Sequence, residues 1–335
     1  MKVAIVHYWL VGMRGGERVL EALCEMFPEA DIFTHVYLPD CMSPTIRRHT
    51  VKTSFIARLP LAATKYQAYL PFMPLALEQL DLREYDLVIS SESGPAKGVI
   101  VRPDAVHVCY CHSPMRYVWD MYHDYRNAAG MFTKLVMPLV AHYLRIWDVS
   151  SSARVDHFIA NSAHVAARIR KYYRREAAVI HPPVNVDDFS ISNDVGEFYL
   201  MLGQLVGYKQ PELAVEAFNQ SGRSLVVVGD GERYDALKKM AKANVQIMGR
   251  QSFDVIRDLC SRCRALVFPG VEDFGIVPLE VMAAGRPVLA YARGGALESV
   301  VPGVTGMFFH EQTAHAINQA VREFEANIDR FDSQV

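Results

Sequence analysis

Short apolar runs recur along the whole chain, separated by glycine-bearing turns and by segments of helical period. Lys2 to Tyr8 (K-V-A-I-V-H-Y), Asp31 to Tyr37, Asp86 to Ser91, Ala105 to Cys111 and His157 to Asn161 each read as a strand buried on both faces. Ala178 to Asn185 closes this first series, and Pro182-Pro183 stiffens the connection that follows. The pattern restarts at Phe198 with F-Y-L-M-L, then Ser224 to Asp230, Val245 to Arg250 and Ala265 to Phe268. Strands alternating with helices predict an α/β chain of two parallel-sheet domains, 1–183 and 184–335.

Three stretches have a different texture. Arg47 to Leu80 mixes apolar and aromatic residues with Arg47, Arg48, Lys52, Arg58 and Lys65, and reads either as a helical pair packed on the first domain or as a surface lying on an anionic membrane. Gly130 to Asp148 is apolar but interrupted by Pro138 and too short to span a bilayer, so it belongs either to the core or to a membrane-facing surface. The basic run Arg168 to Arg175 (R-I-R-K-Y-Y-R-R) reads as a solvated helix face.

With 335 residues and 51% hydrophobic content, the chain can fill two cores. A net charge of -2 excludes nucleic acid as the main partner, because duplex binding needs a clustered positive field. The N-terminus enters a strand without a signal-peptide pattern, and no apolar run reaches the ~18–20 residues of a membrane span; both imply a cytoplasmic protein, soluble or peripheral on the inner membrane. The six cysteines, including C-Y-C and C-S-R-C, lie in strand-like or helical segments and read as buried free thiols rather than zinc ligands.

Chemistry concentrates where strands meet helices. The strand ending at Phe268 passes through V-E-D-F-G into a helix expected near Pro278, so the amides of Phe274, Gly275, Ile276 and Val277 form an anion site without a basic side chain. Glu272 and Glu280 bracket it, the second in the first helical turn; the plainer reading is a surface acid and a dipole partner. Lys209 stands before another helix as a point charge for phosphate. Gly15 and Gly16 open the first helix and would let another molecule approach the backbone. His112 lies at a strand's carboxyl end, where open parallel sheets bind ligands. Arg116, Trp119 and Asp120 follow as weaker, acceptor-side candidates.

The run F-P-G-V-E-D-F-G-I-V-P-L-E-V-M-A-A-G-R-P-V, together with G-G-E-R-V, C-H-S-P-M-R-Y-V-W-D, H-P-P-V-N and the Lys209 loop, resembles the retaining glycosyltransferases of family four. Within that family the chain is similar to mannosyltransferases of O-antigen and exopolysaccharide assembly. The resemblance implies the GT-B fold, two Rossmann-like domains facing across a cleft with the nucleotide on the second. It assigns Glu272 to donor-sugar hydroxyls, Glu280 to the ribose, His112 to the sugar, Lys209 and the 274–277 amides to the diphosphate, Gly15 and Gly16 to donor phosphate or acceptor, and the turns at Gly231 and Arg250 to the nucleotide side. Gln204 stands where the family often has arginine.

No Asp-x-Asp occurs, so neither a metal nor another cofactor is expected. The expected partners are a nucleotide sugar (GDP-mannose first, a UDP-sugar as the alternative), a lipid-linked or oligosaccharide acceptor, and an anionic membrane surface. A non-catalytic sugar-nucleotide-binding protein and a membrane-surface module are the readings of other classes. The helix that commonly crosses back onto the first domain is expected to be lacking, the chain stopping at Gln334-Val335.

Overall fold

A computed structural model describes residues 1–331, which form two compact units, Met1–Pro183 and Val184 onward. The first unit is built on a seven-stranded parallel sheet of β1 (Val3–His7), β2 (Asp31–Thr34), β3 (Val51–Thr53), β4 (Leu87–Glu92), β5 (Val106–Cys111), β6 (His157–Ala160) and β7 (Ala177–Val179). The strand order is β3-β2-β1-β4-β5-β6-β7. The direction of winding therefore reverses between β1 and β4, where an open sheet leaves a crevice at its carboxyl ends. The five residues of β1 are all buried, as a central strand covered on both faces requires.

The second unit repeats the plan with six parallel strands, β8 (Phe198–Leu202), β9 (Ser224–Val228), β10 (Val245–Gly249), β11 (Leu266–Phe268), β12 (Val288–Tyr291) and β13 (Gly306–Phe309), ordered β10-β9-β8-β11-β12-β13. Its switch point lies between β8 and β11. The principal helices are α1 (Gly15–Met26), α2 (Met131–Ser152) and α3 (Ala163–Tyr173) in the first unit. In the second they are α4 (Pro211–Ser221), α5 (Phe253–Arg262), α6 (Ile276–Ala283) and α7 (Ala314–Ala326). Several ends are set by local chemistry: Ser162 and Thr313 accept from the amides of Val165 and Ala316, and Gly222, at φ 75°, stops α4. On one face of the second sheet Phe218 from α4, Phe324 from α7 and Tyr199 from β8 close a single apolar core.

The structure departs from the sequence pattern in four places. Arg47 to Leu80 is not a helical pair: it contributes the edge strand β3 and then breaks into short helical turns between residues 55 and 78. Of its basic side chains, Lys52 is exposed but tied to Asp31 and to the Tyr85 hydroxyl, both at 2.9 Å. Gly130 to Asp148 falls in one 22-residue helix, Met131–Ser152, that starts after Gly130 and continues through Pro138, whose missing N–H removes only one bond of the ladder. Arg168 is buried, not solvated. Five cysteines are buried, but Cys41 is exposed in a short turn after Pro39. Gln334-Val335, on which the expected lack of a crossing helix rested, lies outside the described residues.

Candidate functional site

In the second unit the loops after β8 and β11 meet at the switch point. The first carries a 3-10 turn, Gly207–Lys209, that delivers Lys209 before Pro211 opens α4. The second runs from Pro269 to Gly275. Gly270 has no side chain for a physical reason: a Cβ there would sit 2.6 Å from the Cα of Lys209, so only glycine lets the two backbones touch. That contact brings the Lys209 ammonium within 2.8 Å of a Glu272 carboxylate oxygen, both side chains being mostly buried. The lysine expected on phosphate and the acid expected on sugar hydroxyls thus neutralise each other in this structure. Met201, Val267 and Phe268 line the hollow beside them.

The Glu272 loop is also supported from its other side. A Cβ on Gly295 would lie 2.3 Å from the Cα of Phe274, and the Gly295 N–H donates to the Glu272 carbonyl at 2.9 Å. Gly294 and Gly295 thus support the Glu272 loop, which the sequence reading missed; a Gly-Gly pair following a buried strand is the signal that could have found them. Gly275, at φ 88°, starts α6 at Ile276, two residues earlier than expected. Pro278 then occupies the third helical position, where an N–H has no intrahelical partner to lose. The helix-start amides are consequently those of Gly275, Ile276 and Val277, and Phe274, just before them, is buried. Glu280 falls in the second turn instead of the first, and is half-buried.

The remaining nucleotide-side candidates are more scattered. Gln204 is exposed, with its carbonyl taken by the Val206 amide at 3.0 Å, and Arg250 is exposed just beyond β10. Gly231 packs against the chain itself, since a Cβ would come 2.4 Å from the Leu205 carbonyl oxygen. A cation that the sequence reading passed over lies close by: an Arg233 guanidinium nitrogen is 3.1 Å from the position of a Cβ on Gly207, beside the lysine turn. Glu212 and Glu232 each lie 3.4 Å from Arg233 Nε.

In the first unit, Gly15 and Gly16 are the first two residues of α1, beyond the end of β1. The close approach that Gly16 permits is from the chain's own Tyr8, whose hydroxyl would stand 2.4 Å from a Cβ. His112 follows β5 directly, with Nε2 at 2.8 Å from the Ser91 hydroxyl. Arg168 holds the turn after it by donating to the Ser113 hydroxyl at 2.8 Å and the Pro114 carbonyl at 3.3 Å, and by pairing with Asp120. The Trp119 indole N–H donates to Asp148 at 2.7 Å, a packing role. The structure therefore gathers the site residues into two groups: Lys209 and Glu272 beside the 275–277 amides and Glu280, and His112 with Gly15 and Gly16 at the carboxyl ends of the first sheet. Among the described residues no group of three or more His, Cys, Asp or Glu could hold a metal ion.

Comparison with known proteins bears on this arrangement. A model of Glycosyltransferase Family 4 matches residues 13–188, and one of Glycosyl transferases group 1 matches residues 186–331. The chain is 24% identical over 269 residues to the alpha-1,3/1,6-mannosyltransferase ALG2 of Dictyostelium discoideum, covering 64% of this chain and 61% of that protein. It is 27% identical over 159 residues to the O-antigen chain mannosyltransferase RfbU of Salmonella typhimurium, covering 44% of this chain and 45% of that one. The chain thus spans only about half the length of such relatives. Anabaena HepE, solved with UDP and glucose, superposes with a TM-score of 0.70 at 16% identity, covering 100% of this chain and 94% of that one, which shows the fold, GT-B, and nothing finer. Since the first model alone spans more than half of the 335 residues and the second takes up where it ends, the chain belongs to glycosyltransferase family 4, close to its mannosyltransferases.

Proposed function

We propose that the chain is a retaining glycosyltransferase that moves mannose from GDP-mannose onto a lipid-linked glycan or polysaccharide precursor, without a metal ion. The observation that carries this reading is the Lys209–Glu272 pair at 2.8 Å beside the start of α6. As the anomeric carbon leaves the diphosphate, negative charge grows on the departing oxygen. An ammonium and a helix-start amide set aimed at it stabilise that transition state. Donor binding exchanges the Lys209 partner from Glu272 to phosphate and releases the carboxylate to accept from sugar hydroxyls. Glu280 is assigned to the ribose and His112 to a hydroxyl of the transferred sugar; the departing phosphate takes the acceptor's proton.

The test is a mass-resolved transfer assay over a panel of GDP- and UDP-sugars, with and without EDTA. GDP-mannose turnover with retained configuration and no EDTA effect is expected. Turnover of a UDP-sugar alone overturns the donor. Binding without any turnover leaves a sugar-nucleotide-binding protein, the reading that the neutral Gln204 favours.

A peripheral site on the cytoplasmic face of a membrane, where a lipid-linked acceptor resides, is favoured by α2. Phe132, Leu135, Leu139 and Ile146 follow one another at helical spacing and are 60–79% exposed, while Ala141, Leu144, Trp147 and Ser151 face the core. No helix among the described residues is long and apolar enough to cross a membrane, so the stripe would lie in the interface plane, with exposed Arg47, Arg48, Arg58 and Lys65 of the same unit adding attraction to anionic lipid. Placing aspartate at both Leu135 and Leu139 is expected to lower partition onto anionic vesicles by about 10-fold or more, given ~1.5–3 kcal/mol per fully buried side chain. Unchanged co-sedimentation of that variant would remove the helix from the membrane contact.

A further inference from the structure

Four polar side chains form a line that starts inside the first unit and ends at His112. β1 and β4 pair in register with His7 opposite Ser91, and the two side chains meet, His7 Nδ1 lying 3.1 Å from Ser91 Oγ. Ser91 Oγ is in turn 2.8 Å from His112 Nε2. At the other end His7 Nε2 is buried without a hydrogen bond, facing Glu17 Oε1 at 3.6 Å. Closing that gap by ~0.6 Å reaches ordinary hydrogen-bond length. The second oxygen of Glu17 is occupied, accepting from the Arg14 amide at 3.0 Å. His7, Ser91 and Glu17 are all at most 2% exposed, so water does not compete with these contacts.

We propose that Glu17, His7 and Ser91 are positioning residues that set the tautomer of His112, and with it the polarity of the hydrogen bond His112 offers a sugar hydroxyl. The second half of this statement rests on the reading of His112 as a sugar-binding group; the first half does not. The polarity follows from counting donors. Carboxylate Glu17 only accepts, so an uncharged His7 carries its proton on Nε2, towards Glu17, leaving Nδ1 as acceptor. Ser91 has one hydroxyl proton and gives it to His7 Nδ1, so its oxygen accepts from His112 Nε2–H. The lone pair of His112 is then on Nδ1. Such orientation of one imidazole by a remote carboxylate is how a histidine is held in a working tautomer. His107, by contrast, is closed off between the Ser90 hydroxyl at 2.9 Å and the Arg154 carbonyl at 3.2 Å, and burial pushes it down to about 4; it is a structural histidine.

Glu17→Gln separates this proposal from a packing role. The carbonyl oxygen of the introduced amide must stay on the Arg14 N–H, which only donates, and this places the amide NH₂ towards His7 Nε2. Every proton in the line then reverses: His7 becomes Nδ1–H, Ser91 donates to His112 Nε2, and His112 becomes Nδ1–H. Imidazole ¹⁵N–¹H correlation spectra, taken under mildly basic conditions with His112 assigned by its loss in His112→Asn, read the tautomer directly. The expected result is Nε2–H in the unaltered protein, Nδ1–H in Glu17→Gln, and no response to Glu17→Gln once Ser91→Ala has cut the line. Nδ1–H in the unaltered protein overturns the proposal even if no variant folds. So does a His112 tautomer indifferent to Glu17→Gln in a folded variant. Where transfer is measurable, Glu17→Gln is expected to lower kcat about tenfold, the scale of one hydrogen bond, with the donor KM changed less. Absence of turnover with the tautomer reversal intact would refute the transfer reading and leave the relay standing.

Discussion

Lys209→Ala is expected to lower kcat/KM for sugar transfer by about 10²- to 10³-fold, the scale of losing one donor aimed at a developing oxyanion. Most of the loss should fall on kcat, because the ammonium gains strength as charge leaves the anomeric carbon for the phosphate oxygen. The fold should survive. The ion pair removed, to Glu272 at 2.8 Å, is mostly buried, but both side chains keep some contact with water, so the cost in stability should stay below the ~3–5 kcal/mol of breaking a fully buried pair. Steady-state kinetics with a thermal melt of the same preparation check this. A raised KM at unchanged kcat would show that Lys209 only grips the ground-state donor, and the transition-state role given to it would have to be abandoned.

Lys97→Met is expected to destabilise the first unit by about 3–5 kcal/mol, the cost of leaving a buried charge uncompensated. Lys97, Glu92 and Asp148 are fully buried. The ammonium lies 2.7 Å from a Glu92 oxygen and is hydrogen-bonded to Asp148. Burial alone would pull the Lys97 pKa down, but Asp148 and Glu92 together hold it above the usual lysine range. Burial also pushes the Glu92 carboxyl up. Asp148 takes further donors from the Trp119 indole and the Tyr173 hydroxyl, so the cluster fastens the end of β4 to α2 and α3. The three tryptophans, Trp9, Trp119 and Trp147, all lie in this unit, so denaturant unfolding followed by their emission reports on it without interference. A midpoint that does not move would mean the two carboxylates are protonated or hydrated without the lysine, and the cluster would not be a structural tie.

Much of the candidate site was legible because it depends on local order. A parallel strand ends, a glycine-containing turn follows and a helix begins; the same chain segment therefore supplies both the amides of 275–277 and the acid before them. Glu272, Lys209 and His112 could be picked out in that way, each being a chemistry-bearing residue just past a strand. Glu280 was displaced by one turn because the left-handed conformation of Gly275 moved the helix start, and nothing in the residue types around Pro278 distinguishes a first from a third helical position. Arg168 was read as solvated because its neighbours in R-I-R-K-Y-Y-R-R are charged. Its burial comes from the Ser113-Pro114 turn, 54 residues away in sequence, folding over it. Arg233 was missed because its place beside Gly207 exists only once the loops after β8 and β9 are packed together.

Alternation of apolar runs with helical segments by itself determined two parallel sheets, and hence that the candidate residues would lie just past strand ends, because short-range burial dictates strand and helix and a parallel crossover dictates which end carries the loops. Only the tertiary structure decided that Lys209 and Glu272, 63 residues apart, form an ion pair, that a line of polar side chains connects His112 back to Glu17, and that the apolar stripe of α2 faces outward. Those outcomes depend on which backbones approach closely enough to touch. That is set by glycines such as Gly270, whose neighbours are distant in the chain and invisible to any pattern read along it.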